Sequence, residues 1–237
     1  MCKIKLIDIH THLIPYVDDG VESYDESIKI LNTMIEDGVT DVICTPHYQS
    51  SATRSNLNLM KKNFAILKKK VADNKMNINL HYGNEVRYRK ELNPEYNNLT
   101  LANSNYILLE FNFNTYVNII NVVKMIKELK LIPIIAHVER YSYLSFDDMV
   151  KLKEAGALLQ VNSSSITEDK GWFQSKELIN KMIDNELIDI IASDVHGINY
   201  RYHSVRIAYD YLLNKVDNEY LNDICYNNQL KILQNEY

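Results

Sequence analysis

Two histidines one residue apart, His10 and His12, are echoed late in the chain by Asp194 and His196. Strand residues two apart face the same way, so each pair aims two metal-capable side chains at one place. His47 follows Thr45-Pro46, Glu85 follows Gly83-Asn84, and Glu110 and His137 close two further apolar runs. Imidazoles and carboxylates without thiolates suit Mn, Fe or Zn, and a shared carboxylate such as Glu85 could bridge two ions. The chemistry of such a set is metal-assisted hydrolysis. Taken singly, each part has a plainer reading: a buried histidine pair, a lone structural histidine, or, for Asp18-Asp19-Gly20, a turn.

What must hold these residues is a set of strands ending at one face. Seven β-branched or apolar runs alternate with segments of helical period: Ile4–Ile9, Val39–Thr45, Ile78–Gly83, Tyr106–Phe111, Ile132–His137, Ala157–Asn162 and Ile188–Asp194. The polar residues fall at the C-terminal ends of these runs, where an α/β barrel builds its mouth. An open doubly wound sheet is the alternative, but it would not gather all of these ends. Five of the seven histidines stand there; His81 and His203 are left as structural or surface residues.

Between the runs, Ser23-Tyr-Asp-Glu26 predicts a capping box and Gly38 a stop. Leu57, Met60, Phe64, Leu67 and Val71 mark a second helix. Ile119 to Leu129, Ser145 to Gly156 and Leu178 to Ile183 predict three more, and two helices close the chain after about His203. The crossover from Val86 to Asn105 has no clear period. No repeat, linker or low-complexity run divides residues 1–237, so one domain is expected.

A net charge of −5 gives no general pull on nucleic acid or anionic lipid, and the lysines from Lys61 to Lys70 read as a solvated helix face. No segment is apolar enough for membrane insertion, and the start lacks a signal peptide, so a cytoplasmic protein is expected. Cys2, Cys44 and Cys225 form no paired motif, and Asp8, Ser50 and Lys231 stand six residues after them, so none begins a Cys-x5-Arg loop.

The segments Asp8-Ile-His-Thr-His12, Val17-Asp-Asp-Gly20, Thr45-Pro-His47, Gly83-Asn-Glu85, Ile134-Ile-Ala-His-Val-Glu-Arg140, Gln160-Val-Asn-Ser-Ser-Ser165 and Ala192-Ser-Asp-Val-His196 carry a further signal. Over nearly its whole length the chain resembles the PHP (polymerase and histidinol phosphatase) superfamily, and within it the bacterial tyrosine-protein phosphatases of capsule and exopolysaccharide loci. The resemblance implies a distorted (β/α)7 TIM-like barrel and a three-metal site, usually of manganese. It implies His10, His12, Glu85 and Asp194 at the first ion, Glu85, Glu110 and His137 at the second, and Asp19, His47 and His196 at the third. Arg140 and Arg201 match its phosphate-binding arginines. The implied substrate is a phosphotyrosine protein, a tyrosine autokinase of polysaccharide export. A small-molecule phosphomonoesterase such as a histidinol-phosphate phosphatase is the alternative, disfavoured because several other branches carry histidines where Asp19 and Glu110 stand. A silent metal-binding scaffold that docks a kinase is a third reading, opposed by the complete ligand set. Val138 replaces an expected Pro and Val195 an expected Ala or Met, and neither removes a ligand.

Overall fold

The computed structural model describes residues 4–48, 56–89, 96–167, 175–199 and 204–236. Each predicted run holds a strand. Among the described residues the strands are β1 (Leu6–Thr11), β2 (Val39–Cys44), β3 (His47–Tyr48), β4 (Asn79–Tyr82), β5 (Glu85–Arg87), β6 (Tyr106–Glu110), β7 (Ile132–Ile135), β8 (Leu158–Asn162) and β9 (Ile190–Ala192). They pair in parallel, in the orders β1-β2-β4 and β3-β5-β6-β7-β8-β9.

The two sheets continue one another. β3 prolongs β2 and β5 prolongs β4, and the ladder crosses the breaks through Gly83 N to Cys44 O (3.0 Å) and Glu85 N to Pro46 O (3.3 Å). Pro46 has no N–H to donate, which favours an interruption there. The far edge returns to the first strand through a Thr11–Val195 bridge, with His12 N donating to Val195 O and Asp194 N to His10 O, both at 2.9 Å. The surface is thus a curled α/β barrel with seven strand positions, distorted where two strands break.

Helices cover the outside: α1 (Tyr24–Glu36), α2 (Leu57–Asp73), α3 (Ile119–Glu128), α4 (Phe146–Glu154), α5 (Ser163–Thr167), α6 (Lys176–Asp184) and α7 (Val205–Leu212). Ser23 caps α1 by accepting from Glu26 N, but the Glu26 carboxylate takes the amide of Glu22 and not that of Ser23, so half of the predicted box forms. At α4 both halves form between Ser145 and Asp148. Gly38 ends α1 at φ +93°, and a Cβ there would stand 2.7 Å from the Ile4 carbonyl. The aperiodic crossover after β5 shows one 3-10 turn, Tyr96–Asn98, among its described residues. The lysines of α2 are exposed, Lys70 partly so, and His81 pairs with Asp41 at 3.0 Å, away from the mouth.

The interior is apolar. Ile7, Ile9, Ile43, Leu108, Ile134 and Ala192 form its cluster, joined by Ile232. Ile232 belongs to α9 (Asn228–Gln234), which follows α8 (Asn218–Asn222) and a π turn, Asp223–Asn227. This unit lies across the N-terminal end of the strands, where Asn235 Oδ1 accepts from Asn105 N at 2.7 Å and Tyr106 Oη donates to Glu236 O. One end of the barrel is closed by apolar packing, and the other is left for polar side chains. No helix among the described residues is long and apolar enough to cross a membrane.

Candidate metal centre

His10 and His12 leave the end of β1, where the pairing with β2 shifts register between Asp8 and Thr11. That irregularity keeps Ile7 and Ile9 in the apolar interior while both histidines still reach the mouth. Their Nε2 atoms stand 3.4 Å apart. Glu85 Oε2 lies 3.4 Å from each, and Asp194 Oδ1 lies 3.4 Å from each. Two ligands about 2.1 Å from one ion, with roughly 110° between them, are separated by about 3.4 Å.

Glu85 is the hub. Its Oε1 accepts from His137 Nε2 at 2.8 Å, and its Oε2 stands 2.7 Å from His47 Nδ1. That Oε2 is fully buried, and no approach to it has hydrogen-bond geometry; the buried Nδ1 of His137 also lacks a hydrogen-bond partner. Buried lone pairs without donors are costly unless a cation meets them. On the open side, Asp19 Oδ1 lies 3.4 Å from His47 Nε2 and 3.6 Å from His196 Nε2, and its side chain is 46% exposed. Three groups thus hold ligand atoms within 4.8 Å of one another: His10, His12 and Glu85; His47, Glu85 and Glu110; and His12, Asp19, His47 and His196. All nine residues that the resemblance implies as ligands meet in one cluster. Its partition differs from the expected one in that His47 stands beside Glu85 and Glu110, and His12 beside the Asp19 group.

Other side chains aim the ligands. Asp18 Oδ2 accepts from His12 Nδ1 at 2.8 Å and from His47 N at 3.0 Å, leaving His12 Nε2 for the cluster. Gln160 Oε1 pairs with His10 Nδ1 at 3.1 Å and accepts from His137 N at 2.8 Å; its amide nitrogen reaches Asn162 Oδ1, and Asn162 Nδ2 reaches Asp194 Oδ2, both at 2.9 Å. His137 and Asp194 adopt left-handed backbone, φ 32° and 53°, at the ends of β7 and β9. Such geometry is disfavoured and clusters at functional sites. Gly20 is needed for close approach, since a Cβ would stand 2.3 Å from the His12 carbonyl.

Burial dominates the electrostatics, and the charges oppose it. Burial would lower His12, but Asp18, Asp194 and Glu85 hold it well above the ordinary imidazole range. Burial would raise Glu85, but His47 and His10 keep it well below the usual carboxylate range. His137, buried beside Arg140, is pushed down to about 4 and is a neutral imidazole. Burial first, then the charge of Glu85, raises Glu110.

A short 3-10 turn, Val138–Arg140, returns Arg140 to the mouth, where Nη1 lies 3.7 Å from Asp194 Oδ2 and Cζ stacks 4.4 Å from the Phe113 ring centroid. Arg201 lies outside the described residues. Sequence reasoning passed over Asp18, which looked like a turn residue, and gave no role to Gln160, Asn162 or Arg87. The Gln-x-Asn spacing at the end of a strand was the available signal for the first two, since it puts both amides on the face of the ligands.

The family model for capsular polysaccharide synthesis, CpsB/CapC, matches residues 6–234. CapC of Staphylococcus aureus is 33% identical over 83% of this chain and 79% of its own length. The tyrosine-protein phosphatase CpsB of Streptococcus pneumoniae is 28% identical over 98% of this chain and 99% of its own. In the solved structures of YwqE from Bacillus subtilis and CpsB from Streptococcus pneumoniae, described as metal-dependent tyrosine phosphatases, the match has a TM-score of 0.89 at 24% identity, covering 98% of this chain and 96% of that one. The phosphotriesterase homology protein of Escherichia coli shares the fold more distantly, with a TM-score of 0.61 at 12% identity over 95% of this chain and 97% of its own. With its described strands, its polar mouth and its full-length match in agreement, the chain belongs to the CpsB/CapC family of capsular polysaccharide synthesis.

Proposed function

We propose that this chain is a metal-dependent protein-tyrosine phosphatase, acting in the cytoplasm on a tyrosine kinase that controls capsule or exopolysaccharide synthesis. The observation that carries this reading is the set of 3.4 Å separations that His10, His12, Glu85 and Asp194 make around buried lone pairs. The names of the relatives, tyrosine-protein phosphatases, point the same way. Three divalent ions, manganese in preference to iron or zinc, would be held by His10, His12, Glu85 and Asp194, by Glu85, Glu110 and His137, and by Asp19, His47 and His196.

Bound ions of this kind supply Lewis-acid charge and an activated water. The chain supplies the rest. Arg140, fixed by Phe113 and Asp194, offers a planar fork to phosphoryl oxygens, and Arg201 adds a second guanidinium. The exposed Asp19 marks the open side through which a phosphotyrosyl side chain enters. The tyrosyl oxygen leaves as a phenolate whose conjugate acid has a pKa of about 10, so a strong general acid is less necessary than for alkyl esters. Cys44 and Cys225 are buried, and burial pushes the Cys44 thiol up to about 12 and the Cys225 thiol well above the ordinary thiol range, so neither serves as nucleophile.

The test is phosphate release from a phosphotyrosyl peptide and from histidinol phosphate, side by side, after chelation and separate addition of Mn, Fe and Zn. Peptide turnover restored best by Mn is expected. Selective turnover of histidinol phosphate would reject the substrate assignment, and full activity in chelator would reject the metal.

A further inference from the structure

We propose that Arg87 is a positioning residue of the metal centre, bracing the Glu110 carboxylate from behind while the Phe113 ring holds Arg87 itself. The proposal rests on Glu110 being a metal ligand.

Arg87 sits two residues after Glu85 on β5, so both belong to one face of the strand. Its register partner on the neighbouring β6 is Glu110. Across that pair, Arg87 Nη1 lies 3.0 Å from Glu110 Oε2. Glu110 is 5% exposed and has a ligand atom within 4.8 Å of ligand atoms of His47 and Glu85. Glu85 and Glu110 are two carboxylates in a low-dielectric site, and without a cation behind it Glu110 would swing away from its neighbour. An oxygen tied to a guanidinium stops that swing and fixes which edge of the carboxylate faces the cluster.

Phe113, on the loop after β6, has Arg87 Cζ at 5.6 Å and Arg140 Cζ at 4.4 Å from its ring centroid. One aromatic ring therefore spaces two guanidiniums, one engaged with Glu110 and one near Asp194 Oδ2. A planar fork can stack on a ring and donate in its own plane at the same time; a lysine ammonium cannot do both. Arg87 is 23% exposed, so its loss leaves no large cavity.

The experiment is Mn2+ titration of the chelator-stripped full chain, reading ions bound per chain and their dissociation constants by equilibrium dialysis. Arg87→Met should weaken the weakest-bound ion by about 10-fold or more, as is usual when the partner of a ligand is lost. Arg87→Lys should recover only part of this. If Arg87 acts through Glu110, Arg87→Met should add little in a Glu110→Gln background. Wild-type Mn2+ binding by Arg87→Met, with Glu110→Gln weakened, overturns the proposal alone, even where the KM for phosphotyrosyl peptide rises. Additive losses in the double variant overturn it too. Unchanged binding by Glu110→Gln removes the ligand assignment and the proposal with it. Arg87→Gln, read in the same way, serves if the methionine variant does not fold.

Discussion

Asp18 Oδ2 lies 2.8 Å from His12 Nδ1 and 3.0 Å from the backbone nitrogen of His47, so one carboxylate oxygen anchors two histidines of the cluster. Burial opposes its charge, yet His12 and His47 hold its carboxyl down to about 2. Asp18→Asn keeps the shape but weakens both anchors. Divalent-ion affinity should fall by about 10- to 100-fold, with activity partly restored at high metal concentration. Metal-dependence curves for the two proteins check this, and superimposable curves would deny Asp18 its orienting role.

Carboxylates, acting against burial, hold His10, His12 and His47 above the ordinary imidazole range. A cation entering the cluster must therefore displace protons, and metal affinity should rise with pH through the neutral range. Calorimetric titration with Mn2+ in buffers of different ionisation enthalpy should show net proton release. Identical heats in all buffers would contradict it.

Glu139 is buried, and desolvation raises its carboxyl to about 7 despite hydrogen bonds from Ser165 Oγ and Asn162 N. Its folded pKa exceeds its unfolded one, so its contribution is fully present below about 4.5 and is lost as pH rises through 7. Glu139→Gln should be more stable than wild type at pH 8, by up to about 3 kcal/mol, with the difference shrinking toward pH 5. Denaturant melts at the two pH values decide it.

Arg140→Lys retains charge but loses the fork and the stacking on Phe113. A fall in kcat/KM on phosphotyrosyl peptide of about 100-fold is expected, with little change in melting temperature. Wild-type kinetics in this variant would remove Arg140 from phosphate binding.

The alternation of apolar runs with helical segments made the seven strand positions legible, because β1, β6, β7, β8 and β9 are buried on both faces and α1, α2, α3, α4 and α6 each bury one apolar stripe. The ligands were legible for the same reason: polar residues at the ends of such runs have few other places to go. Asp18 was not, since Asp before Asp-Gly satisfies a turn equally well, and only the fold brings His47 N to it. Nor was Arg87, whose partner Glu110 is set by the pairing of β5 with β6 and not by nearness in the chain. The breaks at Pro46 and after Gly83 also escaped notice, as did the closure of the interior by Ile232, because these depend on contacts between distant segments.

That closure bears on how the protein is made. β1 leaves the ribosome before the other strands, yet the Thr11–Val195 bridge needs a segment more than 180 residues further on, and Ile232 seals the interior later still. A nascent chain can pair β1 with β2 early, but His10 and His12 cannot meet Asp194 until the segment through β9 has been made. The metal centre is therefore incomplete in any nascent chain that has not yet reached β9.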